Sequence, residues 1–294
     1  LDDSRARYLR QQVELGGAEI YLRAPAEPAS LPVARLAEPL APFPVLPVAS
    51  APPAPAPDPV PTVTVALAPS DTRTAPTESP VSKWKKDAPP IPGPGLTIAP
   101  PDAGLLSDEI ARAESLDRIA GLIRDCRKCR LCEGRTNTVP GEGDPAARLM
   151  CVGEGPGATE DEMGRPFVGA AGQLLDQILA AIDCPRERVY IANIVKCRPP
   201  QNRKPLPDEA TSCLPYLHRQ IALVRPKVLL ALGGTAAEWL LGVKKSLGDL
   251  RGQVHRFDGI PLIVTYHPAA LLRNPNWKKP TWDDVRIARR LLGD

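Results

Sequence analysis

An α/β fold is predicted, with three layers, α/β/α, around a central, mostly parallel four-stranded sheet and a long disordered Pro/Ala-rich arm before it. Two observations predict it. Short apolar runs alternate with helix-period segments across residues 105–294. That alternation is the mark of a parallel sheet covered on both faces. Proline is also unevenly spread: more than half of the 37 prolines lie between Pro25 and Pro101. Proline fixes φ and removes a backbone donor, which keeps that stretch out of helices and sheets.

The elements follow in order. Residues 1–23 read as a short helix/strand element, with Asp2, Asp3 and Ser4 at the helix start and Gly16 and Gly17 at its end. Two readings stand for it: a transiently helical tail, or a peptide that docks on a protein partner. Residues 24–104 read as a disordered linker, in which Trp84, between lysines, is either a nucleic-acid contact or a solubilising interruption. Residues 105–294 form the folded domain. Its first helix is expected from Ser107 as N-cap, with apolar residues at Ile110, Leu116, Ile119, Leu122 and Ile123. Strands are expected at Arg148–Gly153, Val189–Val195, Lys227–Leu232 and Pro261–Thr265. Helices are expected at Ala171–Ile182, Asp208–Val224, Thr235–Leu241 and from Thr281, as cap, to the end. Sites in such sheets gather at the carboxyl ends of the strands. Here those are the loops after Gly153, around Asn193 and at Tyr266-His267.

Composition narrows the class. The net charge of +3 is weak evidence for a polyanionic partner. No apolar run is long enough to cross a bilayer, and the first residues (LDDSRARYLRQQ) are charged, so neither a membrane anchor nor a secretory leader is expected. A soluble, reducing, cytoplasmic setting follows as an expectation. The seven cysteines are an odd number, with C-x2-C spacing at Cys126 and Cys129, and Cys197 and Cys213 lie in a second group. In a chain of this length, that pattern favours a metal or cluster over disulfides. Thiolates suit iron–sulfur centres and zinc alike.

Taken singly, the residues of these loops each carry two readings, a ligand contact or an ordinary turn or core residue. Gly155, Pro156 and Gly157 let backbone approach a ligand closely. Phe167, one of three phenylalanines, offers a stacking face in a glycine-flanked loop. Asn193 offers a donor and an acceptor side by side. His267 precedes Pro268 just past a strand.

Three motifs then carry a resemblance: GEGPGATEDEMGRPFVGAAGQLLD from Gly153, YIANIVKCRPPQNRKPLPDEATSC from Tyr190 to Cys213, and YHPAALLRNP from Tyr266 to Pro275. With DCRKCRL they span nearly all of residues 115–294, and they resemble the uracil-DNA glycosylase superfamily, in particular its iron–sulfur branch, family 4. The resemblance implies a monofunctional glycosylase of base excision repair that acts on uracil-containing DNA as a monomer. It implies that Phe167 stacks on the flipped uracil, that Asn193 reads N3–H and O4, and that His267 stabilises charge at O2. Gly155 would meet the base. Glu160 has two open roles, handling the attacking water or excluding a thymine methyl. Leu271, rather than Leu272, would be the wedge entering the minor groove. Lys196, Arg198, Arg203, Lys204 and Arg273 are candidate phosphate contacts. A [4Fe–4S] cluster on Cys126, Cys129, Cys197 and Cys213 is implied as a brace, with Cys132 spare, Cys151 in the core and Cys184 structural. The competing readings are a non-catalytic iron–sulfur or zinc DNA-binding module, and a superfamily glycosylase with a different deaminated-base preference.

Overall fold

A computed structural model describes residues 84–99 and 108–293. The expected N-terminal element, most of the expected linker and Ser107 lie outside the described residues. Among the described residues the sheet has seven strands: β1 (Pro94–Ile98), β2 (Glu142–Gly143), β3 (Leu149–Gly153), β4 (Val189–Asn193), β5 (Val228–Leu232), β6 (Val254–Phe257) and β7 (Ile260–Thr265). Their order is β1-β6-β7-β5-β3-β4-β2. The four expected strands are its centre, β7-β5-β3-β4, and every pairing among them is parallel. The expectation of four strands is therefore corrected by additions at both edges. Strands β6 and β2 pair antiparallel with β7 and β4, and β1 pairs parallel with β6. Two-residue β2 and polar β6 lack the apolar run that reveals a buried strand.

Seven helices of six residues or more complete the described fold: α1 (Leu116–Arg124), α2 (Ala158–Met163), α3 (Ala170–Ala181), α4 (Pro207–Val224), α5 (Gly234–Leu241), α6 (Pro268–Arg273) and α7 (Lys278–Leu292). The first expected helix is broken. A single turn, Asp108–Ala111, precedes α1, and Ser115 caps α1 by accepting from the Arg118 amide at 3.1 Å. Thr281 does not cap the last helix. It sits inside α7, and its hydroxyl donates to the Trp277 carbonyl at 2.8 Å.

Side chains along a strand point alternately to opposite faces. Met150 and Val152 of β3 join a core with Ile119, Ile123, Leu217, Ile221 and Leu240, under α1, α4 and α5. Leu149 and Cys151 join the other core, with Leu175, Leu179, Val285 and Ala288, under α3 and α7. The sheet is thus sandwiched as expected. Among the described residues no helix is long and apolar enough to cross a membrane.

The domain begins earlier than residue 105. Trp84 is 5% exposed, and its indole N–H donates to Asp183 at 2.7 Å, with the Arg289 guanidinium 4.6 Å from its ring. Arg286 donates to the carbonyls of Lys86 and Asp87 at 2.9 and 3.0 Å. Strand β1 follows. Residues 84–98, expected as linker, strap onto the domain, and Trp84 is a core residue rather than a nucleic-acid contact or a solubilising one.

The chain runs from β3 to β4 on one side, then returns past β3 to β5 and β7. This reversal opens a crevice at the carboxyl ends of the strands, the usual place for a ligand in such sheets.

Candidate active site

A pocket of about 400 Å³ occupies that crevice. Gly155, Glu160, Phe167, Asn193 and His267 all line it, so three separate segments of the sequence meet in one place. Leu271 does not. It is 1% exposed, whereas Leu272 is 50% exposed. The expected wedge assignment is corrected accordingly: in α6, position 271 faces inward and position 272 faces solvent.

Asn193 ends β4 beside Gly153 of β3 and is 1% exposed. A Cβ on Gly153 would sit 2.5 Å from the Asn193 side-chain oxygen and 2.6 Å from Cζ of Phe167. Only glycine there lets amide and ring share one wall. The Asn193 side-chain oxygen is buried with no hydrogen-bond partner. An unmet acceptor of this kind costs on the order of 1–3 kcal/mol, and a ligand N–H in the pocket would satisfy it. Behind it, Lys196, 1% exposed, donates through Nζ to the Asn193 carbonyl at 2.8 Å and to Gln220 at 2.7 Å. Burial pulls the Lys196 pKa down to about 8. This lysine is not a phosphate contact, contrary to the sequence expectation.

Phe167 adopts a left-handed backbone, φ 51°, which non-glycine residues rarely take. Arg186 holds that conformation, donating to the Phe167 carbonyl at 3.0 Å and the Pro166 carbonyl at 2.6 Å. The Phe167 and His267 rings stack with centroids 5.4 Å apart, inclined by 29°.

His267 caps α6, its Nδ1 accepting from the Ala269 amide at 3.1 Å. A nitrogen that accepts carries no proton, so the neutral ring bears its proton on Nε2. Burial pushes the His267 pKa down to about 4, helped by Arg273 and opposed by Glu160. The ring is therefore neutral near pH 7, with its N–H at Nε2.

The contacts of Glu160 describe neither of its expected roles. One carboxylate oxygen accepts from the Val168 and Gly169 amides, both at 2.9 Å, and the other from the Gly157 amide at 3.2 Å. It braces the Gly155–Gly157 turn against the Phe167 loop. Glu154 also lines the pocket and escaped the sequence reading, although it adjoins Gly155 in the first motif. At the rim, Arg203 is engaged with Glu209 at 2.7 and 2.8 Å, and Lys204 and Arg273 also line the mouth; Arg198 does not line the pocket and is engaged with Asn202 at 2.8 Å.

A second cavity holds Cys126, Cys129, Cys197 and Cys213, together with Cys132. Burial raises the pKa of Cys129 and Cys197 and pushes Cys213 up to about 12. Such thiols ionise only with compensation. Two donors are in place: the Arg135 guanidinium to the Cys197 sulfur at 3.1 Å, and the Lys196 amide to the Cys213 sulfur at 3.3 Å. All-sulfur donors with hydrogen bonds to the sulfurs fit an iron–sulfur cluster. Among the described residues no three His, Cys, Asp or Glu side chains gather closely enough to hold a single metal ion. Cys151 is fully buried in the core and Cys184 is buried beside it.

The model of the uracil DNA glycosylase superfamily matches residues 140–287. The chain is 46% identical over 187 residues to the type-4 uracil-DNA glycosylase of Sulfurisphaera tokodaii, covering 60% of this chain and 85% of that protein. It is 48% identical over 168 residues to the type-4 enzyme of Pyrobaculum aerophilum, covering 54% and 86%. It is 45% identical over 185 residues to that of Thermotoga maritima, covering 62% and 96%.

Proposed function

The chain belongs to the uracil-DNA glycosylase superfamily, and from its likeness to the type-4 members we propose that it excises uracil from DNA by hydrolysis of the N-glycosidic bond. The products are free uracil and an abasic site, the opening step of base excision repair. The observation that carries the reading at this pocket is the unpartnered side-chain oxygen of Asn193 beside the Phe167 ring.

The geometry supports a division of labour. An extruded uracil stacks on Phe167. The Asn193 oxygen accepts from uracil N3–H and the amide nitrogen donates to O4. Cytosine, with an acceptor at N3 and a donor at C4, leaves both unmet. As the bond to C1′ breaks, the base departs with the bonding electron pair. The Nε2–H of His267 donates to O2, where negative charge gathers, and gains strength from exclusion of water. Water supplies the oxygen that bonds to C1′, and the proton it gives up neutralises the departing uracil anion. Glu160 is a positioning residue that fixes the two loops forming the pocket. Leu272 replaces Leu271 as the apolar wedge, and Lys204 and Arg273 meet the phosphates.

Cys126, Cys129, Cys197 and Cys213 would hold a [4Fe–4S] cluster. When bound, it supplies no electron to a hydrolysis; it fixes the segment after α1 to the β4–α4 loop, which carries Lys196 and adjoins Asn193. The test is direct. The purified protein is incubated with oligonucleotides carrying one uracil, single- and double-stranded, then treated with alkali. Cleavage at the uracil position is expected only after alkali, as for a monofunctional glycosylase. Absence of abasic sites in both substrates would sink the proposal.

A further inference from the structure

We propose that Trp277 is a stacking platform for an unpaired base of the DNA strand next to the extruded nucleotide, an inference that rests on the glycosylase reading above. Trp277 follows α6 in the segment that begins at His267, and it is 36% exposed. One face of its indole lies on Tyr266, with centroids 4.8 Å apart and planes only 6° from parallel. The Arg251 guanidinium lies 4.5 Å from the Tyr266 ring centroid. Arg251 is itself fixed, donating to Asp284 at 2.8 Å and to the Pro280 carbonyl at 2.9 Å. Asp284 also accepts from Thr265, the last residue of β7, at 2.7 Å.

Tyr266, which follows the end of a sheet strand and touches the fixed Arg251, thus backs one face of an exposed indole. Among the described residues no aromatic ring or cation stacks on the outer face of that indole. The core does not need an exposed indole there, and a rigid aromatic face costs little ordering entropy when a flat ligand settles on it.

Charge identifies the ligand. Arg273, Lys278 and Lys279 are exposed around Trp277, and residues 266–280 contain no Asp or Glu. A cationic segment with an exposed aromatic face suits a polyanion that carries flat, unstacked bases. Bases inside a duplex are already stacked on their neighbours, so the platform favours single-stranded or locally opened DNA.

The test compares wild type, Trp277→Ala, Trp277→Leu and Trp277→Phe as full-length holoproteins. Two probes are used: a uracil-free single-stranded oligothymidylate for binding, and uracil oligonucleotides, single- and double-stranded, for turnover. Stacking is worth about 1–3 kcal/mol per base, so Trp277→Ala and Trp277→Leu should weaken oligothymidylate binding about 5- to 150-fold. On single strands KM should rise by a similar factor with kcat within about twofold, and the duplex should respond less. Trp277→Phe should recover most of the loss. Trp277→Leu keeps apolar contact with Tyr266 and guards against a packing artefact. Unchanged oligothymidylate affinity in Trp277→Leu would overturn the proposal, as would equal losses on single strands and duplex or a failure of phenylalanine to rescue. Wild-type protein that binds oligothymidylate through Trp277 but excises nothing would instead overturn the glycosylase reading alone.

Discussion

The ammonium of Lys196 donates to the main-chain carbonyl of Asn193 at 2.8 Å, so the amide at the base of the pocket is held from behind by a buried charge. Gln220 accepts from the same ammonium at 2.7 Å and in turn donates to the Pro140 carbonyl at 2.8 Å. The neighbouring Lys196 amide meets the Cys213 sulfur. One residue thus couples the cysteine cavity to the pocket. Lys196→Met should leave the carbonyl and Gln220 unsatisfied and cost about 1–3 kcal/mol in urea denaturation. Excision should fall through kcat more than KM, since the amide loses its alignment rather than its presence.

The neutral state of His267 gives a signed pH dependence. Its pKa falls from the ordinary 6.5 to about 4 on folding, chiefly through burial. Between those values the unfolded chain binds more protons than the folded one. Stability contributed by this residue is therefore complete above about pH 6.5, declines as pH is lowered toward 4, and levels off below. The loss is on the order of 3 kcal/mol. The stability lost between pH 6.5 and 4, read from denaturant titrations, should be larger in wild type than in His267→Leu by that amount. Excision should not rise as pH drops through 6.5, as it would if the imidazolium were the donor.

Ligand assignment in the cysteine cavity is testable by metal content. Cys213→Ala should lose iron and visible absorption and lower the melting temperature, because a buried ligand has gone. Cys132→Ser should keep its iron. Iron loss in Cys132→Ser with retention in Cys126→Ser would reverse the assignment of the spare thiol.

The strap of residues 84–98 makes the domain start before residue 105. Trp84→Ala removes a 5%-exposed indole together with its bond to Asp183. A loss of about 3–5 kcal/mol is expected by calorimetry or denaturation, with kcat unchanged in the folded fraction. A loss below about 1 kcal/mol would return the strap to the linker.

Much of this was legible beforehand because the central strands are buried on both faces and read as unbroken apolar runs. The loops after Gly153, at Asn193 and at His267 fell where parallel sheets place their sites. What escaped detection had no local signature. Strand β1 hides among prolines and forms only because β6 offers an edge. The orientation of Leu271 against Leu272 depends on where α6 lands, and the sequence places two adjacent leucines without saying which faces in. Glu160 is an acid in a catalytic motif by sequence, yet three backbone amides bind it in space. Lys196 looks like any surface cation until its burial is seen.

The central claim is that Asn193 reads uracil in this pocket, and Asn193→Asp tests it most directly. The substitution keeps size and shape but replaces the amide donor with an acceptor, leaving O4 of uracil facing a carboxylate. Steady-state excision by wild type and Asn193→Asp, both shown to be folded and iron-replete, should differ by at least about 100-fold in kcat/KM on uracil DNA, corresponding to about 3 kcal/mol of lost or mispaired hydrogen bonding. Binding of uracil-free DNA should be retained. Excision by Asn193→Asp within about threefold of wild type would contradict the account.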